Sequence, residues 1–444
     1  MKKIRFECES ITPMFMAGAD GKTPELRPSE FKGVMRFWWR AIKAGSDIEK
    51  LRKEEAEIFG GTGEGEGKSK IRLLIKGEDL QIGNNLKNEY SLKWNYDSKT
   101  RSIKGEDAGI GYLLYSTVLP SRERQYIKVN STFVLQISAV DEKFLKQALA
   151  SLWLAIYLGG FGTRARRGGG DIRVVKIDNT PPESPDFITK GENTDEVANW
   201  LITNFKKASQ IILGKEQPEK FATSYSNLSF SRFIISNKNF DTWKNSLNDI
   251  GNTFKSFREK NRSQIFDSAI FGLPVMHRNC RVVATCEERR ASPVIFKIIK
   301  SQNKYFWLAL RLSGEFLPQG IPLELKVDKR TQKTQKPDYR ILDEFWQELK
   351  EKGSEFVLNK PDILGTIVDK IKSQINPKKI ILFGSRARGD AHKNADIDIA
   401  VETDQNLGRL DLVAPVDIIN LKSANQELKS KIEREGVIIY EGKG

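Results

Sequence analysis

Histidine is almost absent: His277 and His392 are the only two in 444 residues. Cysteine is nearly as scarce, at Cys8, Cys280 and Cys286, with no Cys-x-x-Cys pair. A structural zinc site needs four such donors at close spacing, and a histidine-based triad needs a base oriented by a third group. His277, Cys280 and Cys286 share one short stretch but have no fourth donor nearby, so a metal there is not expected. Long apolar runs are missing as well. No segment approaches the ~20 residues of a membrane span, and the opening MKKIRFECESITPMF carries charges where a signal peptide needs an apolar run. The expected location is cytoplasmic, with no membrane partner.

Positive charge is what the chain has in excess. Lys and Arg number 73 against 58 Asp and Glu, for a net charge of +15. From residue 361 onward the balance is 13 basic to 13 acidic, so the preceding body carries the whole excess. Such a body favours a polyanionic partner. At this length two or three cores are expected.

Periodicity in the first unit predicts a strand at 4–8, a helix over 30–44 with Ser29 as N-cap, and strands at 70–77 and 131–140. A helix over 141–158 and a strand at 171–177 follow. The order β-α-β-β-α-β is the ferredoxin-like pattern, which RNA-recognition modules share with enzymes and metal chaperones. The polar stretch DNTPPESPDFITKGENTDE leads to a second unit, in which helices are expected near 199–212 and 243–258. Its strands are expected in LSFSRFIIS, PVIFKII and YFWLALRL. KVDKRTQKTQKPDYR, residues 326–340, has six basic residues and almost no core material, and reads as a linker or basic arm.

Two stretches of the first unit bear on nucleic acid. On the helix over 30–44, Phe31, Val34, Met35, Trp38 and Ile42 fall on one side, with Lys32, Arg36, Arg40 and Lys43 on the other. That stripe is either a solvated face or a phosphate-binding one, with Trp39 beside it for stacking. GGFGTRARRGGG, residues 159–170, packs six glycines and three arginines into twelve positions. Glycines let a phosphate backbone approach amides, and Arg164, Arg166 and Arg167 could make bidentate phosphate contacts beside Gly168. The alternative is a glycine hairpin with incidental charge. GGTGEGEGKSK is not a Walker A loop, because Thr62 stands where the first glycine belongs and a strand follows. The body shows no converging carboxylates for a metal-dependent nuclease, and Glu54, Glu55 and Glu57 read as a solvated helix face.

SITPMFMAGADGKTPELRPSEFKGVMRFWWRA, EEAEIFGG, GGFGTRARRGGG, AIFGLPV and RRASPVIFKI, in this order over residues 1–325, resemble the first RAMP subunit of the type III-B CRISPR effector, the Cmr module. The resemblance implies an α+β chain with two ferredoxin-like (RRM-like, RAMP) domains, at 1–180 and 181–325. It also implies a non-catalytic role near the guide RNA's 3' region in capturing target RNA for antiviral defence. The implied partners are guide RNA, target RNA and the other RAMP subunits, and the implied RNA-contacting residues are Arg36, Arg40 and 164–168. RNA binding requires no cofactor.

A basic linker and helix at 326–360 then leads to a third unit, 361–444. In it KKIILFGSRARGDAHKNADIDIAVE places Gly384-Ser385 after an apolar strand and Asp396 and Asp398 on one face of the next. GS, ten residues, then DxD resembles the minimal nucleotidyltransferases of the polymerase-beta superfamily, small α/β domains. The resemblance implies Mg²⁺ at Asp396, Asp398 and Asp417, with Asp417 also the candidate catalytic residue. It implies a nucleoside triphosphate held by Gly384, Ser385, Arg386 and Arg388, with attack on the α-phosphate and release of pyrophosphate. Only 18 residues separate Asp398 from Asp417, too few for the helix that family carries there. The alternative function is therefore a nucleotidyltransferase acting on RNA or protein, set against an inert unit retained for docking.

Overall fold

A computed structural model describes residues 2–442 apart from 46, 121, 223, 224, 278, 286, 287, 328, 329, 409 and 413. Cys286 of the His/Cys stretch thus lies outside the described residues.

The first unit runs β1 (Lys2–Ser10), α1 (Pro28–Lys43), α2 (Ile48–Phe59), β2 (Ile71–Asp79), α3 (Ala108–Leu113), β3 (Thr132–Ala139), α4 (Glu142–Tyr157) and β4 (Ile172–Ile177). Its antiparallel sheet has the order β2-β3-β1-β4, the ferredoxin-like arrangement. Alternation along β1 sends Ile4, Phe6 and Cys8 inward under α1 and α4. Asp141 caps α4 by accepting from the Phe144 amide, as the Asp before an apolar-periodic run leads one to expect. The cap expected at Ser29 is not used. α1 begins at Pro28, whose missing N–H costs nothing in the first turn, and the capping position falls on Arg27, which offers no side-chain acceptor.

The second unit repeats the topology with α5 (Thr194–Leu213), β5 (Asn227–Ser236), α6 (Trp243–Lys260), β6 (Val275–His277), β7 (Cys280–Ala284), β8 (Val294–Ser301) and β9 (Lys304–Ser313). β10 (Leu323–Val327), β11 (Arg330–Gln335), α7 (Arg340–Lys350) and β12 (Gly353–Asn359) complete it. The main sheet reads β8-β9-β5-β12, again ferredoxin-like. The stretch expected to be a linker is folded: β10 and β11 pair as a hairpin in a side sheet β6-β7-β10-β11, and β12 is the fourth strand of the main sheet. The second domain therefore extends to residue 359. The low apolar content of 330–335 reflects an exposed edge strand, not the absence of one.

The main sheet of the second unit is buried on both faces. Phe233, Ile235, Ile295, Phe306 and Leu308 join the core of α1, α4 and α5, while Ile234, Phe296, Ile298 and Trp307 join that of α6 and α7. This explains why every residue of β5 is buried.

The third unit comprises α8 (Asp362–Gln374), β13 (Lys379–Phe383), α9 (Gly384–Arg388), β14 (Ile397–Glu402), β15 (Val416–Asn420), α10 (Gln426–Glu435) and β16 (Val437–Glu441). The order is β15-β14-β13-β16, with β14 and β15 parallel and the other pairs antiparallel. α8 covers Ile380, Leu382, Ile399 and Val401 on one face, and α10 packs near Ile381, Phe383 and Ala400 on the other. No helix occurs among the described residues between β14 and β15. Phe230 of β5 enters the α8-side core, so this unit is packed on the second domain.

Candidate functional site

The glycine-rich loop between α4 and β4 lies at the seam of the first two domains. It is tied down at both ends: the Phe161 amide donates to the Gly170 carbonyl, Thr163 to Phe15, and Gly170 to Pro13. Gly170 has φ 71°, and a Cβ there would collide with the Phe161 carbonyl, so only glycine closes this loop. Asp171 just beyond is fully buried and meets Lys297 Nζ at 2.6 Å, while Lys297 also donates to the Gly159 carbonyl at 2.7 Å. This buried pair pins the loop to β8 of the second domain.

The three arginines point into the seam instead of outward. Arg164 (φ 70°) donates from Nε to the Leu113 carbonyl at 2.7 Å. Arg166 donates to the Ser292 carbonyl. Arg167 donates to the carbonyls of Val294 at 2.9 Å and Phe271 at 2.8 Å, with its guanidinium between the rings of Phe254 and Phe296. Burial pushes Arg167 down to about 9, helped by Arg164 and Arg258, and pushes Arg166 down to about 10, helped by Arg290. Gly168 (φ 76°) is buried against Leu247 of α6. The expected phosphate clamp at 164–168 is therefore a set of anchors, because backbone carbonyls already use the donors: Leu113 of the first domain for Arg164, and Ser292, Val294 and Phe271 of the second for Arg166 and Arg167.

The stripe on α1 is corrected in the same way. Arg36 and Arg40 both pair with Glu55, which is 3% exposed and not on a solvated face. Lys43 pairs with Glu54 at 2.8 Å, and Lys32 donates to Ser69 Oγ at 2.7 Å. Trp39 is buried, with Nε1 donating to Gln147 at 3.0 Å, so no base can stack on it. α2 supplies the acids that neutralise the stripe, a pairing that helix periodicity in α1 alone does not reveal.

A groove of about 450 Å³ remains between α1 and the loop, lined by Glu30, Phe37, Trp38, Gly159, Gly162 and Arg166 among others. Phe37 is the half-buried aromatic at its wall, with the Arg166 guanidinium 5.1 Å above the ring. Arg122 and Arg124, from the insertion between β2 and β3, are exposed, and Arg124 Nη1 lies beside the loop, 3.5 Å from Thr163 Oγ1. Sequence reading missed all three. The FWW run pointed to aromatics in general, and nothing local placed residue 124 against residue 163.

In the third unit, Asp398 on β14 stands opposite Asp417 on β15, with Asp396 two residues earlier. Burial raises the Asp398 carboxyl, and Asp417 and Asp396 add to this against the opposing pull of Lys431 and Arg388. A Cβ at Gly384 (φ 71°) would collide with the Asp398 carboxylate, so the glycine permits this approach. The Ser385 hydroxyl has no partner among the described residues. The rest of the expected nucleotide site is otherwise engaged. The Gly384 amide donates to Glu435 Oε1 at 2.9 Å, and Arg388 pairs with Glu435 at 2.8 Å and with Asp390. Arg386 donates to the Ala395 carbonyl at 2.7 Å and lies over Phe221. Among the described residues no group of three or more His, Cys, Asp or Glu side chains is placed to hold a metal ion. A carboxylate on the turn's amide, arginines turned inward and acids short of a closed ligand set do not fit a Mg²⁺-nucleotide complex as they stand. No described helix is long and apolar enough to cross a membrane.

Residues 7–173 match the family model described as RAMP superfamily, and residues 365–443 match Polymerase beta, Nucleotidyltransferase. Over 191 residues the chain is 37% identical to the CRISPR system Cmr subunit Cmr1-2 of Pyrococcus furiosus, an overlap of 40% of this chain and 97% of that protein. The chain belongs to the Cmr1 family of CRISPR RAMP subunits. A second Cmr1 relative, Cmr1-1 of the same organism, is 27% identical over 308 residues, 67% of this chain and 84% of its own length. The crystal structure of apo Cmr1 from P. furiosus shares the fold, with a TM-score of 0.55 at 22% identity, covering 81% of this chain and 99% of that one. To the Cmr1 architecture this chain adds a nucleotidyltransferase-like domain at its C-terminal side.

Proposed function

We propose that this protein is a non-catalytic, RNA-binding subunit of a type III-B CRISPR effector. In this reading it contacts guide RNA near its 3' region, supports capture of target RNA and assembles with the other RAMP subunits. The observation that carries the proposal is the 37% identity spanning 97% of a Cmr subunit. The basic body, the exposed Arg124 beside the glycine-rich loop and the exposed Arg122 two residues before it support it. The test is binding of single-stranded RNA to the full chain across a salt series. A steep fall in affinity with salt is expected, and an Arg122→Ala, Arg124→Ala double variant should reduce the slope by roughly 0.7 for each phosphate it no longer neutralises. Salt-independent or absent binding would overturn the reading.

A second reading, nucleotidyl transfer to RNA or protein by the C-terminal domain, is favoured by one observation: Asp398 and Asp417 are in register on adjacent strands. Nucleotide incorporation that is lost in an Asp398→Asn variant would establish it.

A further inference from the structure

With its arginines committed to the domain seam, the glycine-rich loop offers a different chemistry from a phosphate clamp. The groove it forms with α1 has an anion at one wall. Glu30 closes no ion pair and no side-chain hydrogen bond among the described residues, and burial raises its carboxyl. An unpaired carboxylate repels phosphate and attracts N–H donors. Trp38, about two turns further along α1, lines the same groove. The residue is 2% exposed, and its indole nitrogen packs against Gly159, where any Cβ would collide with it. That N–H has no partner among the described residues, as is also true of the buried Trp94 and Trp200, whereas the indoles of Trp39, Trp153, Trp307 and Trp346 have one. A nearly buried donor left open towards a groove is an unmet hydrogen bond. Phe37 and the Arg166 guanidinium 5.1 Å above it add flat surfaces of the kind on which bases stack.

We propose that this groove is a nucleobase pocket that takes an unstacked guanine of the bound RNA. Guanine presents two adjacent donors, N1–H and the 2-amino group, for the Glu30 carboxylate, and a carbonyl oxygen that can accept from Trp38. Uracil flanks its single N–H with two carbonyls, which a carboxylate repels, and adenine and cytosine each offer one amino group beside a ring acceptor. The volume of about 450 Å³ accommodates a base with part of its ribose. The inference rests on the RNA-binding reading above but concerns base selection, which that reading does not require.

The experiment measures affinity of the full chain for a decamer of uridine, and for the same decamer carrying one central guanosine or one central inosine, which lacks the 2-amino group. The guanosine decamer is expected to bind roughly tenfold or more tighter than the inosine one, the loss of a hydrogen bond to a charged acceptor. Glu30→Gln should abolish that ratio. Phe37→Leu should weaken both decamers by roughly 5- to 100-fold while preserving the ratio. Thermal melts establish that both variants are folded; Glu30 is half-buried in the first turn of α1 and closes no ion pair there, so Glu30→Gln remains decisive if Phe37→Leu is not. Salt-dependent binding with equal affinity for guanosine and inosine would overturn the pocket and leave the RNA-binding reading standing. No binding of any decamer would overturn both.

Discussion

Two turns of this protein share almost the same sequence, Phe161-Gly162-Thr163-Arg164-Ala165-Arg166 and Phe383-Gly384-Ser385-Arg386-Ala387-Arg388, yet fold differently. The first is an irregular loop with Arg164 at φ 70°, and the second is the single helical turn α9 closed by Gly389 at φ 83°. Their settings account for the difference. Thr163 is held in a bridge to Phe15, and Phe161 is hydrogen-bonded to Gly170, so the first segment cannot wind. Ser385 is free of such a tether, and its carbonyl accepts from the amides of Gly389 and Asp390. What the turns have in common is the direction of their arginines. In each the guanidinium groups face protein: Arg166 and Arg167 join the two RAMP domains, whereas Arg388 pairs with Glu435 and Asp390 inside the third unit, which is tied to the second domain by the Arg388 carbonyl accepting from Arg311 at 2.8 Å. Glycine beside arginine is thus a device for bringing a seam close, and not by itself evidence of a phosphate site.

The largest test of that comparison removes the pair beneath the first turn. Lys297→Met leaves Asp171 buried without its cation and should cost about 3–5 kcal/mol in thermal or denaturant unfolding. Arg167→Ala, which orphans two buried carbonyls, should cost about 2–3 kcal/mol and lower the melting temperature of the RAMP body. Arg388→Ala should cost less, about 1–2 kcal/mol, because Glu435 retains the Gly384 amide. Its effect should be local, seen as faster amide exchange over 384–392 with the body still protected. Equal global losses for Arg167→Ala and Arg388→Ala would break the distinction between the two seams. The smallest change is the sharpest: Thr163→Ser makes the two hexapeptides identical and should shift stability by under about 0.5 kcal/mol. Conversion of the first turn to helix would show that local sequence, and not its tethers, chooses the conformation.

Much of the fold is written locally. The strands and helices of both ferredoxin-like units follow from side-chain periodicity, and the GS turn and the DxD pair stand where the spacing puts them. β11 was not legible, because an edge strand with both faces in water needs no apolar alternation. The linker reading of residues 326–340, and with it the boundary at 325, failed for that reason, while the helix expected within 326–360 is present as α7 and β12 in the same stretch completes a buried sheet. The candidate site was less legible than the fold. Sequence by itself determined that the body is basic, that residues 159–170 must turn tightly and that arginines gather there. It could not determine where those arginines point, since the acceptors of Arg166 and Arg167 lie 126, 127 and 104 residues away. Nor could it show that Glu55 would neutralise Arg36 and Arg40, or that Trp38 and not Trp39 would keep an open donor. Propensity and patterning act over a few residues, whereas the pairing of a charge or a donor is settled only when tertiary packing selects its neighbours.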